Sequence, residues 1–265
     1  MSVRSLNIAA TGMVAMQQLV DVIAHNIANT ETAGFKKGRA SFNDLIYQTE
    51  TRMGTVAGAD GGGIPTGTQF GLGVALSAIY KSHQQGPLIP TPGAPLNLAI
   101  SGPGFLVVTL PTGETAYTRG GSLQKNANGE IVTPEGYVVS PGITVPNNAT
   151  SITISADGRV QVSVPNDPNP LDVGRFDLAT FINPPGLDSI GTNFYLESSA
   201  SGAPTLGNPL EEGFGELKQY FIEESNVNSI EEITSLIKAQ RNYELNSKVV
   251  QTTEQMLKTA VDSKV

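Results

Sequence analysis

Asp21 and His25 stand four residues apart, a spacing that on a helix lets a carboxylate orient an imidazole as a general base. A base of that kind serves a nucleophile, and no Ser occupies the strand-to-helix elbow that would present one. The pair reads better as a hydrogen bond on a helix surface. His83 is the only other histidine and there is no cysteine, which excludes a thiolate nucleophile, a disulfide framework and a Cys/His zinc site. The acidic doublets Glu211-Glu212, Glu223-Glu224 and Glu231-Glu232 raise the question of glycosidase carboxylates. Adjacent residues point to different faces, so solvated charge is the simpler reading. Asn126, Asn128 and Glu130 alternate as calcium ligands do, without the remaining loop ligands or a closing Glu. Gly71-Leu72-Gly73 has Leu76 where a dinucleotide fingerprint needs its third glycine, and Pro103 within Gly102-Pro103-Gly104 lacks the N–H of a phosphate cradle. The expectation is a protein that is not an enzyme and has no catalytic residue, cofactor or metal.

With no chemistry to position, the question becomes what the elements themselves do. Only 15% of the 265 residues are charged, against about 25% in an ordinary globular chain. The net charge is −8 with no long Lys/Arg cluster, which argues against nucleic acid as a partner. Gly (29) and Pro (17) are in excess and point to many turns and short strands. At 39% hydrophobic the chain still has enough for a core. No run reaches 18 apolar residues, so no membrane-crossing helix and no direct membrane insertion are expected. The stretch Ile8 to Met16 superficially suggests a signal peptide, but Thr11 and Gly12 interrupt it and Gln17-Gln18 end it, so a mature amphipathic helix is the better reading.

That helix has a clear period. Leu6, Ala9, Met13, Met16, Val20, Ile23 and Ile27 follow steps of three and four without a miss, the seam of a coiled coil over three heptads. The C-terminal end mirrors it. Ser229 with Glu232 three residues on reads as a capping box, and Ile233, Leu236, Tyr243, Val250 and Leu257 carry a second apolar stripe along a helix of about 32 residues. Both seams are read as assembly surfaces. The faces opposite them are short of Lys/Glu pairs and rich in uncharged polar residues, which suits packing on several sides or a confined aqueous space.

Between the helices the period changes to strands. Pro111-Thr112-Gly113, Asn128-Gly129 and Asp157-Gly158 predict three hairpins, the last two as type I′ turns, and Arg175–Phe181, Phe194–Glu197 and Lys218–Glu223 read as further strands. Residues 54–73, with eight glycines, read as an extended loop. The fold class is therefore α+β, two terminal heptad helices forming a coiled-coil pair around an antiparallel β domain.

Ala28-Asn29-Thr30-Glu31-Thr32-Ala33-Gly34-Phe35-Lys36 resembles the N-terminal signature of the flagellar axial proteins, the rod and hook family. Ser225-Asn226-Val227-Asn228, followed by Gln240-Arg241-Asn242-Tyr243-Glu244, resembles its C-terminal signature. Ser101–Phe105 and Ala116–Ser122 match the β-domain pattern shared by its members. Within the family, the length and the segment Phe42–Gln48 before the Gly-rich stretch are most similar to the distal-rod branch, with proximal-rod or hook-type members as the alternative. The resemblance implies an inner helical domain from residues 1–33 and 225–265, a connecting region at 34–78 and an outer antiparallel β domain at 79–224. It implies a subunit that polymerises helically with copies of itself into a hollow drive shaft around the export channel, transmitting torque from motor to hook. The implied partners are proximal rod proteins, the hook protein and the P- and L-ring proteins. The implied place is the periplasm-spanning basal-body rod, reached by export without a cleaved signal peptide.

Overall fold

The computed structural model describes residues 2–51, 66–165 and 169–262. Residues 54–65 of the Gly-rich stretch therefore lie outside the described residues. The chain forms two compact units, one from Met1–Ile27, Gly38–Tyr80 and Ser229–Val265, the other from Ala28–Lys37 and Lys81–Asn228.

The first unit is built on the two helices. The heptad period of the N-terminal end gives α1, Ser2–Ala28, and the C-terminal stripe gives α2, Ser229–Asp262. At 1.5 Å per residue they are roughly 40 and 50 Å long. They run antiparallel, because Gly12 meets Asn246 near one end of the contact and Asn26 meets Glu232 near the other. Glu232, expected to close a capping box, aims its carboxylate at the partner helix and accepts from Asn26 Nδ2 at 3.2 Å. The rest of the unit is extended. Gly38–Asp44 pairs with Val74–Lys81, and Tyr47–Thr51 pairs antiparallel with Thr68–Gly71 in the register Tyr47↔Gly71. So Thr68–Gly71, within the stretch expected as an extended loop, is a paired strand. Arg4 holds this β-ribbon to the start of α1, through Glu50 Oε1 at 3.0 Å and a stack on Phe70 at 4.8 Å.

By length and composition alone, Arg4–Ala28 passes as a helix able to cross a membrane, which the absence of an 18-residue apolar run did not anticipate, and Arg4 and Asp21 are its only charges. In this unit the helix packs on two sides, against α2 and against the ribbon through Thr11, Val22 and Asn26.

The second unit is antiparallel β. Its nine-stranded sheet runs from Asp188–Gly191 through Thr115–Thr118, Phe105–Thr109 and Val138–Val139 to Gln124–Lys125, with a three-stranded sheet (Ser151–Ile154, Arg159–Ser163, Leu171–Arg175) beside it. Strand alternation divides the core. Leu106 and Val108 enter the main cluster with Ile131, Val160, Phe176 and Leu217, while Phe105 and Val107 face a second cluster with Tyr117 and Tyr195.

All three expected hairpins form, but the two expected as type I′ turns do not take that form, since only the glycine takes positive φ while Asn128 and Asp157 do not. Gly129 N–H bonds to Asn126 carbonyl at 3.0 Å and Gly158 N–H to Ser155 carbonyl at 2.9 Å, which makes each a type I turn closed by a left-handed glycine. Leu110–Glu114 uses the same arrangement, and so does Thr133–Tyr137, where Gly136 closes a turn that no Asn-Gly or Asp-Gly dipeptide marks. The expected strand Lys218–Glu223 is split at Tyr220, whose φ of 65° sends Glu216–Gln219 to pair with Leu98–Ser101 and Phe221–Glu223 with Leu88–Pro90. Arg175–Phe181 likewise divides into Leu171–Arg175 and Leu178–Thr180.

Candidate functional site

Two features stand out, one in each unit. The first is the distribution of side chains on α2. Its buried residues are Glu232, Ala239 and Thr253, and Asn246 lies against Gly12, so one heptad column facing inward is polar or small. A Cβ added at Gly12 would sit 2.8 Å from Asn246 Nδ2, so glycine is what permits the close approach. At about 100° per residue, Ile230, Ile233 and Ile237 lie away from that column while Leu245, Val249 and Met256 lie on its flank, and all six are exposed. Ile230 is 75% exposed and Leu245 62%.

The expected seam residues differ in burial. On α1, Ala9 and Ile23 are buried and Leu6, Met13, Met16, Val20 and Ile27 are half-buried. On α2, Leu236, Val250 and Leu257 are half-buried, while Ile233 and Tyr243 are exposed. Met16, Val20 and Tyr243, with Gln17, Gln240 and Glu244, line a groove of about 590 Å³ between the helices. Arg241 of the same motif is exposed on α2.

The second feature draws three motifs to one carboxylate. Glu223, read from the sequence as half of a solvated doublet, is fully buried and belongs to a buried ion cluster. Its Oε1 accepts from Lys36 Nζ at 2.6 Å and from Gly86 N–H at 2.8 Å, and its Oε2 accepts from Arg119 Nη1 at 3.3 Å. Its main-chain carbonyl takes the Gly34 N–H at 2.8 Å. Gly34 has φ of 70°, and a Cβ there would meet Gly120 N at 2.7 Å, so the close pass between the two motifs requires glycine. Lys36, itself fully buried, also donates to Gln84 carbonyl at 2.7 Å.

Burial pulls the Lys36 ammonium below its usual value, with Glu223 opposing the shift, and the Arg119 guanidinium is lowered by burial against the same opposition. Isolated cations could not stay charged in such a place, and the shared carboxylate keeps them there. Asn226 fixes the next step of the chain. Its Oδ1 accepts from Lys37 N–H at 2.8 Å and its Nδ2 donates to the Ser82 carbonyl at 2.8 Å. Phe35 and Val227 are buried beside it, Asn29 accepts from Thr32 Oγ1 at 3.2 Å, and Thr30 and Asn228 each engage neighbours.

His83 stands edge-on to Phe105 and Tyr195, at 5.5 and 5.2 Å between ring centres. Burial, and then the Lys36, Arg119 and Lys81 cations, lower its imidazole to about 4. The unfolded chain takes up this proton near pH 6.5 and the folded chain resists it until about 4, so this contribution to stability is present above 6.5 and is lost as pH falls between the two. Urea melts at pH 7 and near pH 4.5 should show a smaller stability loss for His83→Leu than for the wild type. Equal losses would show that His83 does not contribute.

The other chemical candidates take ordinary roles. Asp21 and His25 are exposed on α1. Asn126 Oδ1 accepts from Asn128 N–H and Glu130 N–H, both at 2.9 Å, and its Nδ2 donates to Glu130, so this trio builds a turn. Among the described residues no group of three or more His, Asp or Glu side chains is placed to hold a metal ion.

Family profiles match three segments. Residues 6–36 match the flagella basal body rod protein family, 99–162 the flagellar hook protein FlgE/F/G D1 domain, and 218–263 the flagellar basal body rod FlgEFG protein C-terminal family. The chain is 52% identical over 254 residues to the flagellar basal-body rod protein FlgG of Caulobacter vibrioides, covering 96% of this chain and 97% of that one. It is 40% identical over 266 residues to the protein of the same name from Bacillus subtilis, covering 98% and 99%. It is 30% identical over 270 residues to the flagellar hook-basal body complex protein FlhP of Bacillus subtilis, covering 96% and 97%.

Proposed function

The chain belongs to the flagellar basal-body rod protein family, and from that premise we propose that it is a structural subunit of the distal rod, polymerising helically with copies of itself. The observation that carries the reading is the apolar surface that α2 exposes. Six large apolar side chains stand exposed along a helix of roughly 50 Å, and a neighbouring subunit is the cover that a rod supplies. Contacts that repeat without closing on themselves generate a filament or tube.

In the polymer the terminal helices line the export channel, and α1, whose only fixed charges are Arg4 and Asp21, would hold back a passing chain least. The β unit forms the outer wall, meeting the P- and L-ring proteins, with the proximal rod proteins and the hook protein at the two ends of the shaft. The rod so built spans the periplasm and transmits torque, and its subunits arrive by export without a cleaved signal peptide. A proximal-rod or hook-type assignment is less favoured, since identity to the FlhP relative is 30% against 40–52% for the FlgG relatives named above. Electron microscopy of the concentrated full-length protein should show hollow tubes. Monodisperse particles at every concentration would overturn the reading.

A further inference from the structure

The groove between α1 and α2 and part of the apolar surface of α2 lie on opposite sides of the helix pair. Measured from the inward column of Ala239 and Asn246 at about 100° per residue, Gln240, Tyr243 and Glu244 turn to one side and Leu245, Val249 and Met256 to the other. The first set, with Met16, Gln17 and Val20 of α1, walls the groove of about 590 Å³. The second set is a ridge, with Leu245 and Val249 four residues apart, Met256 seven further on, and all three exposed. One side of the pair is therefore concave and the other convex. That is the relief with which helices pack, a ridge of side chains seated in a groove.

Charge agrees with shape. Glu244 is the one charged side chain among those that line the groove. Arg241 and Lys248 are exposed, four residues before Leu245 and three after it, which makes them its neighbours on the helix surface. None of these three is in an ion pair among the described residues. An acid in the groove and two bases beside the ridge are complementary between copies, whereas ridge against ridge would oppose like charges.

A groove and a ridge on opposite sides of one helix cannot meet within a chain. We propose that the ridge of Leu245, Val249 and Met256 on one copy seats in the groove of Met16, Val20 and Tyr243 on a second copy. The second copy as occupant rests on the rod reading, and the matching of these two surfaces rests on their shape and charge. Because the two surfaces differ, the contact is heterologous. Each added copy brings a fresh groove and a fresh ridge, so rows of copies extend without closing.

The chain has no cysteine, so introduced ones report this contact without background. Gln240→Cys and Gln17→Cys mark the groove and Val249→Cys marks the ridge, all at exposed positions. Each groove variant is mixed with the ridge variant while dilute, concentrated to assemble, and oxidised, since a disulfide forms only where the two Cα atoms come within about 7 Å. Non-reducing gels should show covalent dimer from at least one mixture and from no variant alone. Dimer from any single variant, or from neither mixture, would overturn the proposal. Tubes that form without the mixed crosslink remove this contact and leave the rod reading standing. A mixed crosslink in protein that forms no tube keeps the contact and counts against the rod reading.

Discussion

Glu223→Gln is expected to be among the most damaging single substitutions in the β unit. It keeps the shape of the side chain and removes the charge, leaving Lys36 and Arg119 buried without a counter-ion. Breaking a buried ion pair from one side costs about 3–5 kcal/mol. For a unit of this size that corresponds to a Tm lower by about 10 °C or more. The double variant Glu223→Gln with Lys36→Met removes one of the stranded charges as well, and should recover part of the loss although it deletes more of the native cluster. Calorimetry on the single and double variants decides the matter. Additive losses would mean that the carboxylate acts through its hydrogen bonds to Gly86 alone and that the charges are not coupled.

Leu245→Asp is expected to abolish polymer formation with almost no effect on the isolated subunit. Leu245 is 62% exposed on the flank of α2, so a charge there stays in water and changes monomer stability by about 0.5 kcal/mol or less. In an assembly the same charge would be buried against a neighbour at a cost of several kcal/mol, repeated at every subunit. Val20→Asp separates the two faces. Val20 lines the groove between α1 and α2, so its charge should weaken the helix pair within one subunit as well as the polymer. Sedimentation with parallel far-UV melts reads both effects. A Leu245→Asp protein that still forms tubes would remove that flank from the interface.

Much of the fold is legible in the sequence, for physical reasons that also mark where legibility stops. The three-four spacing of Leu6 to Ile27 is a local property of a helix, so residue spacing alone is enough to draw α1. The hairpin glycines are equally local, and only the turn type differs from expectation, because a dipeptide does not reveal whether its first residue takes positive φ. Glu223 is beyond the reach of local patterns. Its partners Lys36 and Arg119 lie 187 and 104 residues away, and nothing near it in the chain distinguishes it from Glu224. Tyr220 hides the break in its strand, since a residue that favours strands gives no warning of a left-handed φ. The C-terminal stripe reads as one seam, and Leu236, Tyr243, Val250 and Leu257 do share the side of the inward column, while Ile233 turns away from it. The inward column of Glu232, Ala239, Asn246 and Thr253 leaves no mark in the pattern, because apolar spacing says nothing about polar residues.

The hydrogen bond from Asn26 to Glu232 joins residues 206 positions apart. A chain delivered N-terminus first therefore presents α1 early and has to wait for almost its whole length before α2 arrives to cover it. The β unit ends at Asn228 and can be complete before that. Interrupted synthesis or a C-terminal truncation would thus leave a folded β unit with a sticky, half-built helical unit. The order of emergence makes the last residues to appear the ones that decide whether a subunit is ready to join anything.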